Sequence, residues 1–215
     1  MVEELEPTER SAQAAQEWDE RYAELSESKW SGSPNGSLVE EIQGLSPGRV
    51  LEVGCGEGAD SIWLAQKGWT VTAVDISTVV IERAKLRAAD NGASVDFQQR
   101  DISIEPFDRD VFDLVFLCYP ALRHPGGQAA IHAAASSITI GGELLVIGHY
   151  HDPDKGSNDD GEVMFDPADY VSIDNTKEIL GSTFEVVTDE VRDRPNPPAG
   201  ARHLNDRICR LRRSR

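Results

Sequence analysis

The sequence predicts a three-layer α/β sandwich around a mostly parallel sheet. Short β-branched runs alternate with amphipathic runs between about residues 37 and 149. One extended run ends in three alternating glycines, LEVGCGEG at 51–58. The last two extended runs have no helical segment between them, so they pair antiparallel.

The first ten residues read as frayed. Ala15, Trp18, Tyr22 and Leu25 fall at steps of three and four, which predicts a helix over Ser11–Leu25. The stretch SESKWSGSPNGS (26–37) is rich in turn formers and breaks that helix. A short helix resumes near Ser37 and ends by Gly44. Arg49–Val53 reads as the first strand. Ala59–Lys67 reads as a helix with Ala59, Ile62, Trp63 and Gln66 on one side and Gly68 as its cap. Trp69–Val74 is β-branched and forms the second strand. Ser77 caps a helix with Val80, Ile81, Ala84 and Ala88 on its inner face, and Asn91-Gly92 ends it. Val95–Gln98 and Val111–Leu117 are the third and fourth strands, Gly127–Ile138 a helix, and Glu143–Gly148 the fifth strand. A helix between Pro167 and Leu180 precedes the final pair, Phe184–Val191 and His203–Leu211. Short loops between strands and helices require right-handed crossovers, which cover both faces of the sheet.

Length and charge narrow the function. The chain has 215 residues, enough for one domain with a short extension, read as residues 1–36 followed by a domain over 37–215. The net charge of −17 repels phosphate backbones and disfavours a nucleic-acid substrate. The arginine-rich end, 207–215, reads as a solvated terminus with some strand character. No apolar run is long enough to span a bilayer, and the acidic start is no secretory signal. Cys55, Cys118 and Cys209 are odd in number and widely spaced, which suits reduced thiols in a cytoplasmic protein.

A strand that ends in glycines and turns into a helix brings backbone N–H groups close to a ligand. Dinucleotides such as NAD and S-adenosylmethionine both use this device. Gly54, Gly56 and Ala59 fit the dinucleotide fingerprint loosely. Asp75 ends the second strand, where a carboxylate accepts both ribose hydroxyl protons of either cofactor. Asp101 follows the third strand, where it can receive an adenine amino group with Ile102 against the ring. Glu52, Asp75 and Asp101 thus sit at the ends of three strands around one crevice.

Glu52-Val53-Gly54-Cys55-Gly56-Glu57-Gly58, Asp75 and Asp101-Ile102 resemble the class I S-adenosylmethionine-dependent methyltransferases. The resemblance covers about residues 37–149, and the terminal strand pair extends it. It implies a Rossmann-like, seven-stranded sheet in the order 3-2-1-4-5-7-6 with an antiparallel last strand, and S-adenosyl-L-methionine as cofactor. The cofactor contacts it implies are Glu52, Gly54, Cys55, Gly56, Asp75, Ile76, Asp101, Ile102 and Leu117. Trp18-Asp19-Glu20-Arg21-Tyr22, Trp30 and Pro34-Asn35 resemble the front of the tellurite-resistance and thiopurine-type enzymes, which act on small molecules. There the N-terminal segment closes the pocket, so Tyr22 and Trp30 would line or cover the cofactor site. An aromatic face near a sulfonium is favourable.

The loop after the fourth strand, Cys118-Tyr119-Pro120-Ala121-Leu122-Arg123-His124, lacks the Asp/Asn-Pro-Pro-aromatic motif of enzymes that methylate DNA adenine. Tyr119 and His149 are candidates for the acceptor side. His149 and His151 are spaced by two but lack a third ligand, so no metal is assigned. Arg202 and His203 precede the last strand and suit an anionic acceptor, although the tellurite-resistance enzymes carry that pair in the reverse order. Residues 151–162 have the length and polarity of a lid. The expectation is therefore a methyltransferase for a small-molecule acceptor. An NAD-dependent oxidoreductase and a non-catalytic S-adenosylmethionine-binding protein are the alternatives. The first lacks a Tyr-xxx-Lys pair and a substrate domain.

Overall fold

The computed structural model describes residues 5–24, 32–150, 169–197 and 204–215. Seven strands form one sheet: β1 (Arg49–Val53), β2 (Thr70–Asp75), β3 (Asp96–Gln99), β4 (Phe112–Cys118), β5 (Ile138–His149), β6 (Phe184–Asp193) and β7 (Asn205–Arg213). Their order is β3-β2-β1-β4-β5-β7-β6, as the resemblance implied. The first five pair in parallel, and β7 runs antiparallel to both of its neighbours. The helices are α1 (Pro7–Glu24), α2 (Gly36–Ile42), α3 (Ala59–Gln66), α4 (Thr78–Asp90), α5 (Gly126–Ser137) and α6 (Ile173–Leu180).

The parallel strands are buried on both sides, which is why they read as nearly continuous apolar runs. Period-two alternation splits them. Leu51, Val115 and Leu117 enter the core beneath α5 and α6, while Val50, Leu114 and Phe116 enter the core beneath α2, α3 and α4. Side chains from both faces thus close a single sheet between two helical layers.

Four expectations need correction. Residues 7–10 are not frayed: α1 starts at Pro7, whose fixed φ and missing N–H suit a first helical position. The inner side of α3 is Asp60, Ser61, Ile62 and Leu64, with Gln66 exposed. The helix leaves the glycine turn at an angle that presents Ser61 to Glu52, and apolar spacing alone does not reveal this. Strand β5 is longer than Glu143–Gly148, since α5 runs straight into it at Ile138. The arginine-rich end is mostly strand and not a solvated tail. Arg212 Nη2 lies 2.7 Å from Glu143, Arg213 Nη1 lies 2.7 Å from Asp110, and Arg210 pairs with Glu41. Among the described residues no helix is long and apolar enough to cross a membrane.

Candidate cofactor and acceptor site

Strand β1 stops at Val53 because Gly54 turns the chain with φ 77°, which side chains rarely adopt. The N–H groups of Gly54 and Cys55 both donate to the Val74 carbonyl, at 2.8 and 3.0 Å, which ties the turn to β2. Gly58 then starts α3 with φ 83°. A Cβ there would stand 2.8 Å from Phe97 Cζ, so no side chain fits between α3 and β3.

The turn frames a cavity of about 150 Å³ at the C-terminal ends of β1, β2 and β4. Tyr22, Gly54, Asp75, Ile76, Asp101 and Ile102 line it, six of the residues singled out from sequence. Tyr119 lines it from the loop after β4. Asp75 Oδ2 accepts from the Gly56 N–H and Oδ1 from the Ser77 N–H, each at 3.0 Å. Burial pushes the Asp75 carboxyl above its ordinary range, and the N–H groups of Ser77, Gly56 and Ile76 pull against that. The Asp101 Oδ1 accepts from the Ser103 N–H at 2.9 Å, holding the loop that carries Ile102.

Glu52, Cys55, Gly56 and Leu117 are not part of the cavity lining. Cys55 and Leu117 are core residues on opposite sides of the sheet. Glu52 is 3% exposed and accepts from the Ser61 hydroxyl behind the turn. Burial first, and then the charge of Asp60, push its carboxyl well above the usual range, with Ser61 opposing. Asp60 is raised too, by burial, although the Asn35 N–H donates to its Oδ1 at 2.6 Å. Trp30, Arg202, His203 and the segment 151–162 lie outside the described residues.

Helix α1 covers the cavity with half-buried side chains and none fully buried. Its grip is polar. Asp19 Oδ1 accepts from Ser77 Oγ at 2.6 Å and from the Val79 N–H at 3.1 Å, a second cap on the start of α4. Arg83 donates to the Tyr22 carbonyl at 2.9 Å, and Arg123 pairs with Glu17 at 2.6 Å. Trp18 and Tyr22 face the cavity from this helix. Burial and the nearby Asp75 charge push the Tyr22 phenol up.

On the far side of Tyr119 lies a polar group that sequence reasoning missed. The Tyr119 hydroxyl donates to Asp206 Oδ1 at 2.9 Å, and Ser37 Oγ donates to Asp206 Oδ2 at 2.7 Å. The Tyr119 ring stacks on His149 with centroids 4.0 Å apart, and the Arg194 guanidinium stands 5.1 Å from the Tyr119 centroid. The structure therefore joins Tyr119 and His149, which sequence named separately. No local signal points to Asp206; it arrives through the antiparallel β5–β7 register, opposite His149.

This geometry defines an α/β protein with an acidic crevice of about 150 Å³ at the carboxyl edge of its sheet. Residues 50–142 match the family described as a methyltransferase domain. The stretch from β1 into β5 is thus similar to a methyltransferase domain. It is 32% identical over 116 residues to an uncharacterized protein of Mycobacterium tuberculosis, covering 54% of this chain and 42% of that protein. It is 32% identical over 111 residues to a ubiquinone biosynthesis O-methyltransferase of Klebsiella pneumoniae, covering 51% of this chain and 46% of that one. The chain thus matches less than half the length of these relatives. The magnesium protoporphyrin IX methyltransferase of Synechocystis, solved with S-adenosylmethionine bound, shares the fold at TM-score 0.64 and 18% identity over all of both chains. Between the two cofactor classes, the match to a methyltransferase domain favours S-adenosylmethionine.

Proposed function

We propose that the protein transfers a methyl group from S-adenosylmethionine to a small-molecule acceptor. The observation that carries this reading is the crevice itself. A glycine turn that tolerates no side chain at Gly58 opens onto Asp75, Asp101 and Ile102, in the places that suit ribose and adenine. Gly54 would leave room for the methionine part, Asp75 would hold the ribose hydroxyls, and Asp101 with Ile102 the adenine. The bound cofactor supplies an activated methyl group on a sulfonium; the protein's share is to bind, orient and exclude water.

Residues 1–36 act as a cover in this reading, with Trp18 and Tyr22 closing the cavity through α1. The net charge of −17 supports a small molecule over a nucleic acid. The relatives' names, which concern a quinone precursor pathway and a porphyrin, support a small acceptor as well. All three cysteines are free, which suits a reducing compartment such as the cytoplasm.

Calorimetric titration with S-adenosylmethionine, S-adenosylhomocysteine and NAD tests the reading. Binding of the first two at micromolar concentration and none of the third is the expected result. Binding of NAD alone would overturn it. Cofactor binding without turnover on a broad acceptor panel would leave the non-catalytic alternative.

A further inference from the structure

The geometry points to Tyr119 and Asp206 as a proton relay for a phenolic acceptor hydroxyl. The inference rests on the methyltransferase reading and adds the class of atom that is methylated.

Three observations outside the cofactor cradle converge on Tyr119. Its backbone has φ 51°, a left-handed conformation that a bulky residue holds only under constraint, and its N–H is fixed to the Ile147 carbonyl at 2.7 Å. Its hydroxyl reaches Asp206, which is 0% exposed and has no Lys, Arg or His ion-pair partner among the described residues. An enclosed carboxylate with two hydroxyl donors among the described residues is costly for a purely structural element. The Asn35 side chain lies beside the same phenol, and its Nδ2 is buried without a hydrogen-bond partner. That donor is available to a phenolate.

The ring therefore bridges two compartments. One side lines the cofactor cavity, and the hydroxyl touches a buried proton acceptor. His149 and Asp206 face each other across the β5–β7 ladder, and the tyrosine lies over that pair. Arg194 places a cation 5.1 Å from the ring centroid, next to where negative charge would develop. Further charged or titratable groups of the same cluster are Asp60 on α3, Glu52 on β1 and Cys118 on β4, whose thiol burial pushes up.

In the step itself the acceptor O–H bond breaks and its proton passes to the Tyr119 oxygen. The original Tyr119 proton passes to the Asp206 carboxylate. The freed oxygen pair bonds the methyl group, and the S–CH₃ pair stays on sulfur, leaving a neutral thioether. Because the Tyr119 proton leaves as the acceptor proton arrives, no free tyrosinate forms, and the net transfer from the acceptor hydroxyl to the Asp206 carboxylate is easier for a phenol, whose ordinary pKa is about 10, than for a less acidic hydroxyl. An aliphatic alcohol is far less acidic. A thiolate needs no proton acceptor, so a relay built for it would have no work. Tyr119 would touch the acceptor; Asp206 acts through it as a positioning residue.

The experiment pairs catechol with thiophenol as probes, using methyl-labelled S-adenosylmethionine. The expected result is transfer to catechol that falls about 100-fold in kcat in both Tyr119→Phe and Asp206→Asn. Any transfer to thiophenol falls far less than transfer to catechol in both variants, since a thiolate has no proton to give up. A second readout needs no turnover. The tyrosinate absorption lost in Tyr119→Phe identifies the Tyr119 component, and in Asp206→Asn that component should move to lower pH, because burial and then the Asp206 charge hold it up. If Asp206→Asn fails to fold, Tyr119→Phe at the cavity wall carries the kinetic test alone. Wild-type catechol turnover in Tyr119→Phe, an unmoved tyrosinate component, or transfer to thiophenol but not catechol overturns the relay. Transfer to neither probe with cofactor bound overturns the phenol assignment. Failure of the wild-type protein to bind S-adenosylmethionine overturns the methyltransferase reading instead.

Discussion

Replacing Asp75 by alanine removes a carboxylate at the end of β2 whose Oδ2 accepts from the Gly56 N–H of the glycine turn and whose Oδ1 accepts from the Ser77 N–H at the start of α4. Two ribose hydroxyls donating to it would each contribute about 1.5 kcal/mol, the lower end for a charged partner. The sum, about 3 kcal/mol, is roughly a hundredfold in Kd. Part of this is offset, because burial already pushes the Asp75 carboxyl up and its charge is costly to keep. A loss of at least about tenfold remains the firm expectation. The same substitution leaves the Gly56 and Ser77 N–H groups without their acceptor, so stability falls as well. The Asp75→Asn variant keeps the shape and one acceptor, and it should lose affinity with less loss of stability. Calorimetric titration with S-adenosylmethionine on variants shown to melt cooperatively provides the measurement. A folded Asp75→Ala protein with unchanged affinity would remove Asp75 from the site and refute the placement of the ribose.

Two further perturbations test the cradle. Gly58→Ala forces a left-handed residue, at about 1–2 kcal/mol, and drives a Cβ against Phe97, at about 1–3 kcal/mol; denaturant unfolding should show a loss of about 2–5 kcal/mol, and a loss below about 0.5 kcal/mol would mean the turn is loosely packed. Glu52, Asp60 and Asp75 all have carboxyls raised in the folded chain. Such a group binds its proton more tightly when folded, so its contribution is complete below the unfolded pKa and is lost as pH rises through the folded one. Glu52→Gln stays neutral and keeps an acceptor for Ser61. Its Tm should exceed that of the wild type at neutral pH, and the gap should close toward the ordinary carboxylate range; a gap independent of pH would show that Glu52 does not titrate in this way.

Most of the architecture was legible because it depends on local periodicity. Strand β1 ends where the sequence predicted, at Val53, since a run of glycines cannot continue a strand. The start of α4 was equally plain, because Ser77 Oγ caps the Val80 N–H. The inner face of α3 was not legible. Asp60 and Ser61 are polar, and only their partners Asn35 and Glu52, brought together by packing, make burial tolerable. The N-terminal start of α1 was also misread, since its first turn, Pro7 to Arg10, carries no apolar signature beyond the proline.

The sequence by itself determined the fold class, the strand order implied by its family resemblance, and the placing of Asp75 and Asp101 beside the crevice at the sheet's carboxyl edge. These follow from short-range patterns, in which each residue's role depends on neighbours a few positions away. The tertiary structure alone decided that Glu52 turns behind the glycine loop and that Asp19 caps a helix 58 residues further on. It also decided that Asp206 meets Tyr119 across 87 residues of chain. Such contacts carry no periodic signal, because the register of an antiparallel pair and the docking of a polar helix are set only when the whole sheet has assembled.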